Sequence, residues 1–307
     1  MNIGFVGLGA MGQVISHRLI AEGHQLTVWN RSRDKSEALV REGARWADSP
    51  AEVARATDIA FSMVTDGAAS HSVICGPGGL LEGAHQRLII IDAASIDPET
   101  SIEIAEQARS KGVAMLDAPV SGGPKVAAEG RLGIMVGGPK EAFQACEPIL
   151  KKLGSMVLHV GDNGKGTTLK LIANLVMGVT IQAAAESLVL ATKAGIDPQL
   201  VVDITSLPGT GPQTGAMATR GPRMINHHFV PAHFSANNMH KDLTGALKLG
   251  EKYGVSLPAV SVAREILRAV KAQDNGGYRF KRSSHRFGSH GEYPCPCVFQ
   301  NFLSQTD

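Results

Sequence analysis

Residues 2–12 read Asn2-Ile3-Gly4-Phe5-Val6-Gly7-Leu8-Gly9-Ala10-Met11-Gly12. A short run of strand-forming residues passes straight into three glycines spaced G-x-G-x-x-G, and a helical pattern follows over 14–22. In that setting the glycines permit a tight turn. They also let a pyrophosphate approach a helix N-terminus, where free N–H groups and the helix dipole favour an anion. The glycine spacing alone also describes an ordinary turn, and the strand before it and helix after it are what carry the reading. Gly7, Gly9, Met11 and Gly12 are therefore expected to form the pyrophosphate loop of a dinucleotide site.

Working outward, the runs 3–6, 26–29, 59–63, 88–92, 114–118, 133–136 and 156–160 read as strands, and 14–22, 35–42, 102–111 and 141–153 as helices. Repeated strand–helix–strand units predict a parallel, doubly wound α/β sheet of the Rossmann type, because parallel strands need a crossover. Past Gly161-Asp162-Asn163-Gly164 the strand signals stop, and 164–194, 198–206, 236–253 and 259–273 carry helical spacing. The expected division is a dinucleotide-binding domain over 1–162 and an all-helical substrate and dimerisation domain over 163–277. The segment Leu207-Pro208-Gly209-Thr210-Gly211-Pro212 reads as a loop between helices and as a candidate pocket lining.

The end of the second strand bears on the nucleotide. An acidic residue about 20 positions past the glycines would accept hydrogen bonds from a ribose 2′-hydroxyl. This chain has Asn30-Arg31-Ser32-Arg33 instead. A neutral end with guanidinium groups beside it suits a 2′-phosphate, so NADP(H) is the expected cofactor, contacted by Asn30, Arg31 and Ser32.

Three further segments stand out: Asp117-Ala118-Pro119-Val120-Ser121-Gly122-Gly123, then Lys170 through Asn174 within Gly164-x-Gly166-x-x-x-Lys170-x-x-x-Asn174, then Lys241-Asp242-Leu243. Ser121-Gly122-Gly123 follows a strand at the carboxyl edge of the sheet, and its N–H groups beside a hydroxyl could cradle a carboxylate, although by itself the tripeptide reads first as a plain turn. Lys170 and Asn174 are four apart and share a helix face. A lysine among apolar neighbours can have its pKa drawn down by desolvation, and so exchange a proton with a substrate oxygen.

Together, in order and spacing, these segments resemble the β-hydroxyacid dehydrogenase family, the NAD(P)-dependent relatives of 3-hydroxyisobutyrate dehydrogenase and tartronate semialdehyde reductase, from Met1 to about Gly277. The resemblance implies that Ser121, Gly122 and Gly123 hold the substrate carboxylate, that Lys170 is the acid/base, that Asn174 orients the reacting group and that Lys241 reaches the nicotinamide end of the cofactor. Asp92-Ala93-Ala94-Ser95 stands where similar proteins usually read Asp-x-Ser-Thr, so Ser95 keeps a hydroxyl there and Ala94 loses one. The implied activity is interconversion of a small β-hydroxyacid and its semialdehyde, with a homodimer or homotetramer as the assembly. Two alternatives stand beside it. One is an imine reductase, which generally carries aspartate or tyrosine where this chain has Lys170. The other is a non-catalytic module of the same fold, as in a chromatin-associated relative.

Composition bounds the rest. With 307 residues and 43% hydrophobic content, the chain can fill two cores. Thirty lysines and arginines against 28 acids leave no basic surplus for nucleic acid or an anionic membrane. With a strand read at 2–6, no secretory leader is expected, and four cysteines in 307 residues point to a reducing cytoplasm. No histidine has convincing metal-ligand spacing, His227 and His228 included, so no metal is expected.

The tail from Tyr278 onward lacks both helical period and family resemblance. Read one base later, its codons permit Ile-Asp-Leu-Ser-Ala followed by further apolar residues, close to the way similar proteins continue. A frame shift near Gly277 is therefore expected, with a genuine added tail as the alternative.

Overall fold

The computed structural model describes residues 1–207, 215–226 and 234–275. The tail from Tyr278, the loop positions 208–212, and His227, His228 and His233 lie outside the described residues.

The strands are β1 (Asn2–Val6), β2 (Gln25–Trp29), β3 (Arg45–Trp46), β4 (Ile59–Ser62), β5 (Ile89–Asp92), β6 (Ala114–Asp117), β7 (Val120–Ser121), β8 (Leu132–Gly137) and β9 (Gly154–Gly161). Among them run α1 (Ala10–Ala21), α2 (Glu37–Arg41), α3 (Pro50–Ala56), α4 (Gly67–Cys75), α5 (Pro98–Ser110), α6 (Pro124–Ala128) and α7 (Lys140–Leu153). The helices that follow are α8 (Lys165–Lys193), α9 (Pro198–Thr205), α10 (Ala216–Ile225), α11 (Ala236–Tyr253) and α12 (Pro258–Asn275). This is a Rossmann-type doubly wound sheet followed by an all-helical segment. By contacts the chain divides into compact units of residues 1–170 and 171–307.

The sheet runs β3-β2-β1-β4-β5-β6-β8-β7, with β9 on β8, and from β3 through β6 every pairing is parallel. Alternating side chains feed two cores. Ile3, Phe5, Val28 and Phe61 pack with Ile15 and Leu19 of α1 and Phe143 of α7, whereas Val6, Ala60, Ile90 and Met115 pack with Val53, Ile74 and Ile104 from α3, α4 and α5. In the second unit Ile181, Leu188, Met239, Leu243, Leu267 and Val270 form a separate core.

The parallel pattern holds through β6 and changes at the far end of the sheet. Strand β8 is antiparallel to β6 and β7, and only β9 returns parallel to β8. The reason is the link: residues 122–131 hold only the five-residue α6, too little for a crossover, so β7 doubles back onto β8. Strands β3 and β7 and helices α3, α4, α6 and α10 were not anticipated from the pattern.

The parallel strands end abreast. Ser62, Asp92 and Asp117 are register partners at the carboxyl edge of β4, β5 and β6, and all three are buried. Burial pushes the Asp92 carboxyl up to about 6. The amide of Ala94, the hydroxyls of Ser70 and Ser62 lower it in turn, and the charge of Asp117 adds a smaller upward push. Its Oδ1 accepts from the Ala94 amide at 3.2 Å, while Oδ2 makes no hydrogen bond among the described residues.

The pH sign follows. The native state binds the Asp92 proton more tightly than the unfolded chain does, so the stabilisation is full below about pH 4 and is lost as pH rises through about 6. Asp92→Asn removes this dependence. In melts at pH 4.5 and 8, the wild type is expected to gain about 2 kcal/mol on the variant at the acid end. An unchanged difference between the two proteins would refute a raised pKa.

Candidate functional site

At β1 the sheet changes direction, because β2 lies on one side and β4 on the other; such a point opens a crevice at the carboxyl ends of the strands. The loop Gly7–Gly12 fills that position. Gly7 stands at φ +99, and a Cβ there would lie 2.3 Å from the Met63 carbonyl oxygen. A Cβ on Gly12 would come within 2.0 Å of the Gly7 carbonyl oxygen, so α1 can start this close to β1 only without a side chain. Gly9, the N-cap of α1, is the opposite case: nothing lies within 4 Å of a Cβ built on it, and no side chain caps the helix. Open space over an uncapped helix start fits a pyrophosphate. Met11, in the first turn, is half-buried against the core.

Asn30 closes this loop from the end of β2. Its Oδ1 accepts from the Leu8 amide at 2.9 Å and its Nδ2 donates to the Ser32 carbonyl oxygen at 2.9 Å. Arg31 and Ser32 are exposed immediately beyond, and the Arg33 guanidinium lies 5.3 Å from the centre of the Trp46 ring. Ser95 lies half-buried just past β5, in the turn that the Asp92 carboxylate holds through Ala94.

The segment 117–123, from the end of β6 through β7, contributes two things. Ser121 pairs with Gly133 across β7 and β8 and is exposed, Gly122 takes φ +126, and Gly123 is the N-cap of α6. Four residues before Ser121, the fully buried Asp117 turns its carboxylate to the start of α8. Oδ1 accepts from the Gly164 amide and Oδ2 from the Thr167 amide, each at 2.9 Å. Asn163 Nδ2 donates to the Met115 carbonyl oxygen at 2.9 Å alongside. Gly166 makes the approach possible, since a Cβ there would lie 2.4 Å from the Met135 carbonyl oxygen and 2.7 Å from that of Asp117. Burial raises the Asp117 pKa, and the Thr167 and Gly164 amides pull against that. One residue short of a full turn past Thr167 stands Lys170, only 6% exposed.

Within the second unit the other two segments meet. The buried Asn174 donates through Nδ2 to Asp242 Oδ2 at 2.5 Å, and Asp242 also pairs with Lys241, whose Nζ is 3.7 Å from Oδ1. Asp242 carries no role in the sequence pattern. It is 1% exposed and links Asn174 to Lys241. Among the described residues, no three His, Cys, Asp or Glu side chains gather as metal ligands would.

Comparison with known proteins agrees with this layout. Residues 2–161 match the profile of the NAD binding domain of 6-phosphogluconate dehydrogenase, and residues 164–281 that of the NAD-binding domain of NADP-dependent 3-hydroxyisobutyrate dehydrogenase. Glyoxylate/succinic semialdehyde reductase 1 of Arabidopsis thaliana is 36% identical over 281 residues, covering 91% of this chain and 96% of the relative.

The chain belongs to the β-hydroxyacid dehydrogenase family.

It is an NAD(P)-dependent oxidoreductase of the hydroxyacid dehydrogenase type. Another relative, 2-(hydroxymethyl)glutarate dehydrogenase of Eubacterium barkeri, is 33% identical over 90% of this chain and 91% of its own. Among solved structures, 3-hydroxyisobutyrate dehydrogenase from Salmonella typhimurium superposes with a TM-score of 0.80 at 27% identity, covering 91% of this chain and 95% of that one. The second profile match stops at residue 281.

Gly9→Val separates folding from nucleotide binding. A Cβ here meets no protein atom within 4 Å, so the melting temperature is expected to change little. Affinity for the nicotinamide nucleotide should fall on the order of tenfold, as the helix amides become covered. Calorimetric titration of a folded variant at wild-type affinity would show that the pyrophosphate does not sit here.

Proposed function

We propose that this protein is an NADP(H)-dependent enzyme interconverting a small β-hydroxyacid and its semialdehyde. The observation that carries the reading is Lys170: a buried lysine, on a helix whose start is held by the same segment that carries Ser121-Gly122-Gly123. Ser121, Gly122 and Gly123 hold the substrate carboxylate, leaving the carbonyl oxygen for Lys170 to protonate. Asn174, steadied by Asp242, orients the reacting group, and Lys241 lies at the nicotinamide end. The bound nicotinamide supplies or takes up the hydride. Gly7, Gly9, Met11 and Gly12 hold the pyrophosphate, Ser95 contacts the cofactor, and Asn30, Arg31 and Ser32 take the 2′-phosphate. The absence of a carboxylate at position 30 favours that phosphate. The relatives' substrates, glyoxylate or succinic semialdehyde and 2-(hydroxymethyl)glutarate, are carbonyl or hydroxy compounds of acids and support the substrate class.

The setting of the enzyme belongs to the same proposal. Helix α8 has the length and hydropathy of a membrane span, but it carries buried Lys170 and Asn174 and is tied to a sheet, which supports a helix of a water-soluble fold with neither membrane nor nucleic acid as partner. Cys75 and Cys146 are free thiols, in keeping with the cytoplasm. The domains are read as 1–162 and 163–277, followed by a frameshifted tail.

A panel of short semialdehydes and hydroxyacids, assayed with NADPH and NADH in parallel, tests the activity. NADPH should be preferred, and Lys170→Ala should lower turnover by ~10²- to 10⁴-fold while nucleotide affinity holds. Near-normal turnover in that variant would remove the lysine from the chemistry.

Leu190, Ile196, Leu200, Ile204 and Leu207 are each about half exposed or more, an apolar surface suited to a second copy of the chain. A homodimer or homotetramer is the proposed assembly. Light scattering that returns the monomer mass at every concentration would contradict it.

A further inference from the structure

We infer that Asp117 is a positioning residue for Lys170: its carboxylate, by capping the start of α8, sets the register and height of the lysine against the Ser121-Gly122-Gly123 loop that the same segment carries. The inference rests on the reading of Lys170 as the proton donor.

Four observations support it. First, both carboxylate oxygens are used, each by a different backbone amide of the helix start, Gly164 and Thr167. Two-point attachment fixes rotation of the helix as well as its position, which a single bond would not. Second, the fit leaves no slack. A Cβ on Gly166 would lie 2.8 Å from Asp117 Oδ2, and one on Gly137 would lie 2.5 Å from Oδ1 and 2.9 Å from the Gly166 amide nitrogen. Third, Thr167 and Thr168 both turn their hydroxyls onto the Gly164 carbonyl oxygen, at 2.9 and 2.7 Å, stiffening the first turn. Fourth, the lever arm is short. Lys170 lies three residues beyond Thr167, about 4.5 Å along the axis, so a tilt or slip at the cap reaches it almost undiminished.

A carboxylate suits the position electrostatically. It faces the positive end of a 29-residue helix, and charge-assisted bonds to the amides offset part of the cost of burying it. Burial still drives its pKa upward. Asparagine in its place keeps one acceptor but turns an NH₂ group towards the second amide, where donor would meet donor.

The test is a double-mutant cycle on the full-length enzyme, comparing wild type, Asp117→Asn, Lys170→Ala and the double variant. The readouts are kcat and KM on the best substrate of the panel, NADPH dissociation constant and melting temperature. Asp117→Asn is expected to lower kcat ~10- to 100-fold, the scale of an ångström-sized misplacement, with NADPH affinity within about twofold of wild type. In the Lys170→Ala background the same change should cost less than about twofold, because the group it positions is gone. Equal losses in both backgrounds would show a general structural role and overturn the inference, as would an unchanged kcat in Asp117→Asn. If Lys170→Ala itself stays active, the proton-donor reading is what fails, and the inference falls with it. Should Asp117→Asn not fold, Asn163→Ala removes the adjacent anchor to Met115. It should show the same pattern at ~3- to 10-fold, and full kcat in that variant would overturn the inference.

Discussion

The bond from Asp117 to the Gly164 and Thr167 amides is the constraint on which the rest of the site depends. A helix leaves its first N–H groups without partners, and a long helix adds a dipole that favours negative charge at that end. A buried carboxylate needs partners of this kind, since an unpaired charge in the interior costs several kcal/mol. Each side therefore answers the other's need at the carboxyl edge of the sheet. Because α8 starts at Lys165, the position of Lys170 is counted from this bond.

Next to it, Asp92 has fewer partners. Burial raises both carboxyls, and that of Asp92, with Ala94 as its one hydrogen-bonded amide and Oδ2 left over, rises to about 6. Two aspartates abreast in one sheet thus have different tasks. One is tied to a helix, and the other holds the turn leading to Ser95.

Much of this was legible in the chain. The glycine loop, strands β1, β2, β4, β5 and β6 and helices α8 and α11 follow from period and punctuation, because buried parallel strands are continuous apolar runs and long helices repeat their spacing many times. What failed was short or poorly patterned. Strands β3 and β7 have two residues each, too few for any period, and α4 is apolar without a clear stripe. Helix α10 contains Gly221 and Pro222, which the rules read as breakers. The reversal at β8 depends on what a ten-residue link can span, which periodicity does not report. In the site, Ser121, Lys170 and Lys241 stood out by pattern. Asp117 and Asp242 were quoted without a role, since their partners lie 47 to 68 positions away and only folding brings them together.

Asn30 has a consequence for how such a protein could change over time. Its acceptor serves the glycine loop through Leu8 and its donor serves the Ser32 carbonyl, so the proposed ribose-reading site and the proposed pyrophosphate loop share one side chain. Aspartate there would keep the acceptor but lose the donor, setting a carboxylate against the Ser32 oxygen. A lineage moving from one nicotinamide nucleotide to the other cannot treat position 30 as an independent module. The path runs through a second change near Ser32, and evolutionary access to the alternative nucleotide is narrower than one codon would imply.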